Sequence, residues 1–245
     1  LQLERYKFYN LIQNRGGGYR TNLKQAASFV FPDGSIGGSI KKNDDEIEDD
    51  EEIDFYNQNE GEKGLSKYVE DISKSYLIPG VYQFKGVFKK SETENLAHLS
   101  AKMNAIVDIE TKLNDVPGTA FIYTGNMKNG GGSILMGLVL ERYGGFVNYL
   151  KSNRLSKKTY VCLNTEMSEE DKVKIMTIFN SDQNADGSLI KIVIGTSHLK
   201  EGISFFHCVR IHLLNRAWTY SEDFQSIKRG IRAGGHRVLK EKFYS

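Results

Sequence analysis

Three short stretches of the sequence combine small residues with hydroxyls or cations in a way that suits phosphate oxygens. The first is Thr124-Gly125-Asn126, with Gly130-Gly131-Gly132 just beyond it. The second is Gly195-Thr196-Ser197, followed by Glu201-Gly202-Ile203-Ser204. The third opens at Asn215-Arg216 and runs into a segment carrying Gln225, Lys228, Arg229 and Arg232. A glycine lets backbone N–H groups approach an anion closely, and a Thr or Ser adds a donor. Taken singly, a glycine after a strand more often serves turn geometry than ligand contact. Gln225, Arg229 and Arg232 are four and three residues apart, so on a helix they share roughly one face. That basic stripe either meets a polyanion or is a solvated face paired to acids elsewhere.

Other chemistries find little support. Cys162 and Cys208 are the only cysteines, each inside an apolar run, without the paired spacing of a zinc site or a disulfide framework. Both are expected as buried free thiols. His98, His198, His207, His212 and His236 are scattered rather than spaced as ligands, so no structural metal is expected. No Gly-x-x-x-x-Gly-Lys-[Ser/Thr] occurs, so the chain has no P-loop of its own to hold the β- and γ-phosphates of a nucleotide. The acidic run is no Walker-B motif, since no apolar strand precedes it, and there is no Gly-x-Ser-x-Gly elbow.

The charge is nearly balanced, 33 basic against 31 acidic residues in 245, which argues against a uniformly cationic coat or a highly charged disordered chain. The balance hides a segregation. Asp44 to Asp54 contains nine acids and no base, so everything else sums to about +11. The stretch Arg210 to Ser245 holds eight basic and three acidic residues, so this end is expected to dominate binding to a polyanion. The acidic block lacks a core-forming pattern, and residues 34–64 read as a flexible insertion or linker. An alternative is an acidic mimic that shields the basic face until nucleic acid displaces it. With 39% hydrophobic residues the chain can bury a core, and no apolar run approaches a membrane span. Leu1 to Asn10 has no signal-peptide pattern, so an intracellular, non-secreted protein is expected.

The elements that must position these loops follow from periodicity. A helix is predicted near Gly64 to Ser75, and another from an N-cap at Ser100 with Met103, Ile106, Val107, Glu110 and Leu113 at helical spacing. Short apolar strands are predicted at Ala120–Tyr123, Thr159–Leu163, Ile190–Ile194 and Val209–Leu214. Between them fall helices around Ser133–Arg142, from Ser168 with inward Val173, Ile175, Met176 and Phe179, and at Ser221–Arg232 with inward Phe224 and Ile227. Apolar strands alternating with helices predict an α/β open parallel sheet with helices on both faces. The three loops then fall after strands, where such sheets meet ligands. Residues 1–95 are expected to form a helical or irregular segment with the acidic insertion, and residues 96–245 the α/β lobe.

Together these stretches, in this order, resemble the C-terminal RecA-like lobe of superfamily 2 helicases. They are most similar to the viral branch of large cytoplasmic DNA viruses: the poxvirus-type early transcription factor and nucleoside triphosphate phosphohydrolase I family, themselves similar to Swi/Snf ATPases. Gln225-Ser226-Ile227-Lys228-Arg229-Gly230-Ile231-Arg232 looks like motif VI, Gln-x-x-Gly-Arg-x-x-Arg. Ile194-Gly195-Thr196 through Gly202-Ile203-Ser204 looks like motif V, and Phe121-Ile122-Tyr123-Thr124 like motif IV. Gly235-His236-Arg237-Val238-Leu239 is similar to a Ser-His-x-x-Leu tail, and Lys24 to Pro32 to the stretch joining the two lobes. Lys228 stands where the motif has glycine, Ser204 where many relatives have aspartate, and Gly235 where the tail has serine.

The resemblance implies a RecA-like fold and an ATP-dependent helicase or translocase in which ATP with Mg2+ is held mainly by an N-terminal lobe. Arg229 and Arg232 would be its arginine fingers. Gln225 would sense the closed state, while Gly202 and Ser204 couple nucleotide to nucleic acid. Thr124, Gly125, Gly195 and Thr196 would grip the nucleic-acid backbone. Implied partners are DNA or RNA, the N-terminal lobe and viral transcription machinery, with no membrane, in the virion or host cytoplasm. The lobe alone is expected to be inactive. An ATPase-inactive nucleic-acid-binding module is the alternative, and a transferase using the Gly195 loop for a nucleotide sugar is a third.

Overall fold

The computed structural model describes residues 2–7, 10, 26–32, 34, 36, 65–66, 68–76, 79–85, 95–125, 132–152, 158–164, 166–196, 204–215, 220–230 and 234–244. The acidic block Asp44 to Asp54 lies outside these residues.

The region expected as a helix near residues 64–75 is helical at Leu65, Ser66 and Tyr68 and is then divided. Strand β1 (Val69–Asp71) leads through a single helical turn, α1 (Ser73–Tyr76), to β2 (Tyr82–Phe84). The two strands pair antiparallel, with Val69 opposite Phe84. Tertiary packing decides this, because Val69 and Phe84 are buried in the main core and Tyr68 stacks on Phe31 at 4.6 Å. Helical spacing alone could not reveal those partners.

From α2 (Leu96–Leu99) onward the order follows the expected alternation: α3 (Ala101–Lys112), β3 (Thr119–Tyr123), α4 (Ser133–Gly144), β4 (Val147–Asn148), β5 (Thr159–Cys162), α5 (Glu169–Phe179), β6 (Ile192–Gly195), β7 (Cys208–Leu213), α6 (Tyr220–Gly230) and α7 (Arg237–Phe243). The caps obey their local chemistry. The Ser100 hydroxyl accepts the Met103 N–H at the start of α3, and the Ser168 hydroxyl accepts that of Asp171 in α5. Glu169, Glu170 and Asp171 occupy the first turn of α5, where the helix dipole favours negative charge.

Five strands form one parallel sheet in the order β4-β5-β6-β3-β7, one strand more than the sequence suggests. Side chains alternate between its two faces. Ala120, Ile122, Tyr160, Cys162, Ile192 and Ile194 join one core with residues of α3 and α4, together with Phe29 and Phe31. Phe121, Val161, Leu163 and Val193 join a second core with Ile175, Met176 and Phe179 of α5. Both faces are therefore dry and covered by helices. Gly137 lets α4 lie close on the sheet, since a Cβ there would stand 2.6 Å from the Tyr160 ring and 3.0 Å from Cys162 Sγ.

Two expected inward positions point outward. Val173 of α5 is 64% exposed, and Phe224 of α6 is exposed while Asp223 is buried and Ile227 half-buried. Phe224 is kept at the surface by its neighbours: it stacks with Tyr220 at 5.8 Å and carries Lys228 Nζ 4.6 Å over its ring. Cys162 and Cys208 are buried and free.

Candidate functional site

The carboxyl ends of β3 and β6 are neighbours, and they bring two of the three stretches together. Thr124 donates its N–H to the Gly195 carbonyl at 2.9 Å, and its hydroxyl approaches the same carbonyl at 3.5 Å. Thr124, Gly125, Gly195 and Thr196 thus form one group. Thr124 and Thr196 are buried, so their hydroxyls lie below the surface of this end of the sheet.

Next to them, Leu214 after β7 donates its N–H to the Tyr123 carbonyl, which places Asn215 at the same end. A Cβ on Gly125 would stand 3.6 Å from that of Asn215. Asn215 Oδ1 accepts the Ser28 hydroxyl, and the Ser28 carbonyl in turn accepts the Ser100 hydroxyl. The Ala26–Phe31 stretch is therefore anchored to the carboxyl end of the sheet. The pairing of Ser28 with Asn215 is not legible in the sequence, where 187 positions separate them.

Ser204 is at the opposite end. Its carbonyl accepts Asn180 Nδ2 at 2.8 Å, and Asn180 Oδ1 accepts the Phe206 N–H, so the C-cap of α5 braces the start of β7. Helix α6 leads back from the carboxyl end toward this same amino end, exposing Gln225 on the way. After α6 the His207 N–H donates to the Gly235 carbonyl at 2.9 Å, and His236 Nε2 meets the Cys208 carbonyl at 2.7 Å. The structure thus collects Ser204 and the residues following α6 at the amino end of β7, apart from the Thr124–Thr196 group. Gly202, Arg232 and the side chain of Arg229 lie outside the described residues.

One buried ionic cluster ties α3 to β7. Glu110 is fully buried and receives Arg210 at 2.8 and 3.0 Å and His212 Nε2 at 2.6 Å. Burial pushes the Glu110 carboxyl up, but the bonds from His212 and Arg210 outweigh it and hold the group below its usual range. Near the start of β6, Lys191 is buried with Nζ 2.6 Å from the Val116 carbonyl and 3.3 Å from that of Asp186. Desolvation, with Arg210 adding to it, brings its pKa down to about 8. Burial pushes the Cys208 thiol up to about 12 and raises Cys162 as well. Neither is a thiolate nucleophile at neutral pH. Among the described residues no three His, Cys, Asp or Glu side chains are grouped to hold a metal ion, and no helix is long and apolar enough to cross a membrane.

A five-stranded parallel sheet with helices on both faces is the RecA-like arrangement, and the chain belongs to the helicase conserved C-terminal domain family, whose model matches residues 102–234. It is similar to a protein named as a helicase in Invertebrate iridescent virus 3, 27% identical over 223 residues, covering 90% of this chain and 20% of that protein. It is 31% identical over 129 residues to a protein named as an ATP-dependent RNA helicase in Acanthamoeba polyphaga mimivirus, covering 53% of this chain and 22% of the relative. It is 26% identical over 249 residues to nucleoside triphosphatase I of Choristoneura biennis entomopoxvirus, covering 96% of this chain and 34% of the relative. The chain thus spans a fifth to a third of the length of these relatives.

Proposed function

We propose that this chain is the C-terminal lobe of an ATP-dependent, nucleic-acid-driven motor of viral type acting in transcription. The observation that carries the proposal is the family match over residues 102–234, which takes in α6 and its Gln-x-x-x-Arg sequence together with the Thr124 and Thr196 loops. ATP with Mg2+ sits on an N-terminal lobe that carries the P-loop, because this sequence has none. No residue of this chain is assigned as a Mg2+ ligand.

Closure of the two lobes brings Arg229 and Arg232 to the γ-phosphate, where a guanidinium stabilises the charge of the transition state. Gln225 registers the closed state, and Gly202 with Ser204 links it to the loop preceding β7. The Thr124-Gly125 and Gly195-Thr196 group holds the nucleic-acid backbone, positioning the lobe without reading sequence.

The test is ATP hydrolysis by the full protein, with and without nucleic acid, for the native chain and Arg232→Ala. An arginine finger is worth about 10³ to 10⁵ in rate. Nucleic-acid-stimulated turnover that collapses in the variant supports the proposal. Turnover that survives Arg232→Ala refutes the finger role, and a protein that binds nucleic acid without any turnover is the ATPase-inactive module.

A further inference from the structure

One hydroxyl interrupts the apolar stretch Ala26–Phe31. Ala26, Phe29, Val30 and Phe31 are fully buried, and Ser28 among them is 1% exposed. An alanine would pack there as well, so the use of the serine lies in its hydrogen bonds. Its hydroxyl donates to Asn215 Oδ1, and its carbonyl accepts the Ser100 hydroxyl. Ser100 is itself fully buried and caps α3 with the same oxygen, which accepts the Met103 N–H. The Val30 N–H donates to the Leu99 carbonyl at 2.9 Å. Gln2 spans both partners, since its Nε2 donates to the Ala26 carbonyl at 3.2 Å and its Oε1 accepts the Ala101 N–H at 2.9 Å.

These bonds fasten β7 at a second point. Glu110 of α3 holds Arg210 and His212 within the strand, and Ser28 holds Asn215 just beyond its end. Asn215 in turn lies against the residues that leave β3, where a Cβ on Gly125 would stand 3.6 Å from the Asn215 Cβ. Gly125 follows Thr124 directly, in the group read above as the grip on nucleic acid. A continuous set of hydrogen bonds and contacts therefore runs from Ala26–Phe31 to that grip. The same stretch precedes the family match, which begins at residue 102, so a chain arriving from an N-terminal lobe passes through it before it reaches the sheet.

We propose that Ser28 is a positioning residue that couples nucleotide binding to the nucleic-acid grip. Its hydroxyl, bonded to Asn215, passes displacement of the incoming chain to the residues at Gly125, so that closure of the lobes on ATP changes the affinity of the carboxyl-end loops for a phosphate backbone. This rests on the motor-lobe reading above. Both partners are held by backbone bonds, Ser28 through its carbonyl and Asn215 through the pairing of Leu214 with Tyr123. A relative shift of about 1 Å takes the two oxygens out of hydrogen-bond range. The bond thus has a made and a broken state, with Asn215 differently anchored in each, which is the kind of two-state element that coupling between sites requires.

The test measures the affinity of the full protein for a single-stranded DNA or RNA oligonucleotide, whichever binds more tightly, with and without a non-hydrolysable ATP analogue. It compares the native chain, Ser28→Ala, Asn215→Ala and the double variant, with the melting temperature of each. The readout is the ratio of the two affinities. The expected native ratio is about 5-fold or more. It should shrink by roughly threefold or more in each single variant, in keeping with one lost hydrogen bond, and no further in the double variant, because both substitutions remove the same bond. A structural role alone lowers the melting temperature and both affinities together and leaves the ratio at its native value, which overturns the inference. Losses of ratio that multiply in the double variant overturn it too. Should Ser28→Ala fail to fold, Asn215→Ala decides alone, since Asn215 is only half-buried. The two claims fail separately. If the native protein binds neither oligonucleotide, or its affinity ignores the nucleotide, the motor reading falls and the coupling with it; if the native ratio is large and survives both substitutions, only the coupling falls.

Discussion

Glu110 of α3 and Arg210 of β7 form a two-pronged pair, with Nε and Nη2 of the arginine 2.8 and 3.0 Å from the two carboxylate oxygens. The carboxylate is fully buried and the arginine side chain is 11% exposed, so this contact carries the electrostatics of the helix–sheet seam on the β7 edge. Removing one partner leaves the other charged and poorly solvated, which costs on the order of 3–5 kcal/mol. Glu110→Ala should therefore lower stability by about that much, and chemical denaturation of the two proteins at neutral pH measures it.

The same pair sets an acid sensitivity. The Glu110 carboxyl is held below its unfolded value in the fold, so the folded state binds this proton more weakly. Its contribution is complete above the unfolded value and is lost as pH falls through the lowered folded one. The stability gap between the native chain and Glu110→Gln should narrow as the solution is acidified below about pH 4.3. A gap that stays constant through that window contradicts the assignment.

Much of this fold was legible because each central strand is apolar on both sides. The runs at Phe121, Val161 and Val193 could only be covered strands, and the interposed apolar helices supplied the covers. What escaped were elements defined by partners rather than by pattern. Strand β4 is two residues long with Val147 exposed and Asn148 buried, the reverse of a hydrophobic signature. Phe224 counts as apolar in any periodicity, yet stacking with Tyr220 and the Lys228 cation keep it at the surface.

The candidate site divides in the same way. The neighbourhood of Thr124 and Thr196 follows from parallel pairing, because residues that leave adjacent parallel strands emerge side by side. Ser204 is only eight residues beyond Thr196, yet it stands at the other end of the sheet, since the chain must return to the amino end before β7 can run parallel. That consequence of topology was available in the sequence. The bond between Ser28 and Asn215 was not, because nothing in a sequence pairs two polar residues 187 positions apart.

Lys191 should impose a pH dependence of the same sign in the alkaline range. Its pKa falls from 10.5 to about 8 on folding, chiefly through desolvation, so the folded state again binds the proton more weakly. Below about pH 8 both states carry the charge and the fold bears the full burial cost. Between about 8 and 10.5 the folded lysine releases its proton first, and stability rises with pH by an amount on the order of 3 kcal/mol. Lys191→Met removes that rise, so the difference between the two denaturation curves isolates it from the other groups that titrate there. Parallel curves across this window would show that Lys191 keeps its ordinary pKa.

The final prediction concerns where nucleic acid lies. Charge counting along the sequence assigned the binding surface to the basic C-terminal stretch, with Arg237 and Lys240 among its cations. Both residues are on α7, which is pinned through His236 to the amino end of β7, across the sheet from the Thr124–Thr196 group. Arg237 is 78% exposed and 3.9 Å from Glu241, so it is an exposed cation beside an acid of its own helix. Each phosphate neutralised by a Lys or Arg adds about 0.9 to the slope of log affinity against log salt on duplex DNA, and about 0.7 on single strands. If the carboxyl-end loops grip the backbone, replacing Arg237 and Lys240 together by Ala leaves that slope within about 0.5 of the native value. Salt titrations of affinity in the full protein read it directly. A fall of about 1.4 to 1.8, the equivalent of two lost phosphate contacts, would move the nucleic-acid track to the amino end of the sheet.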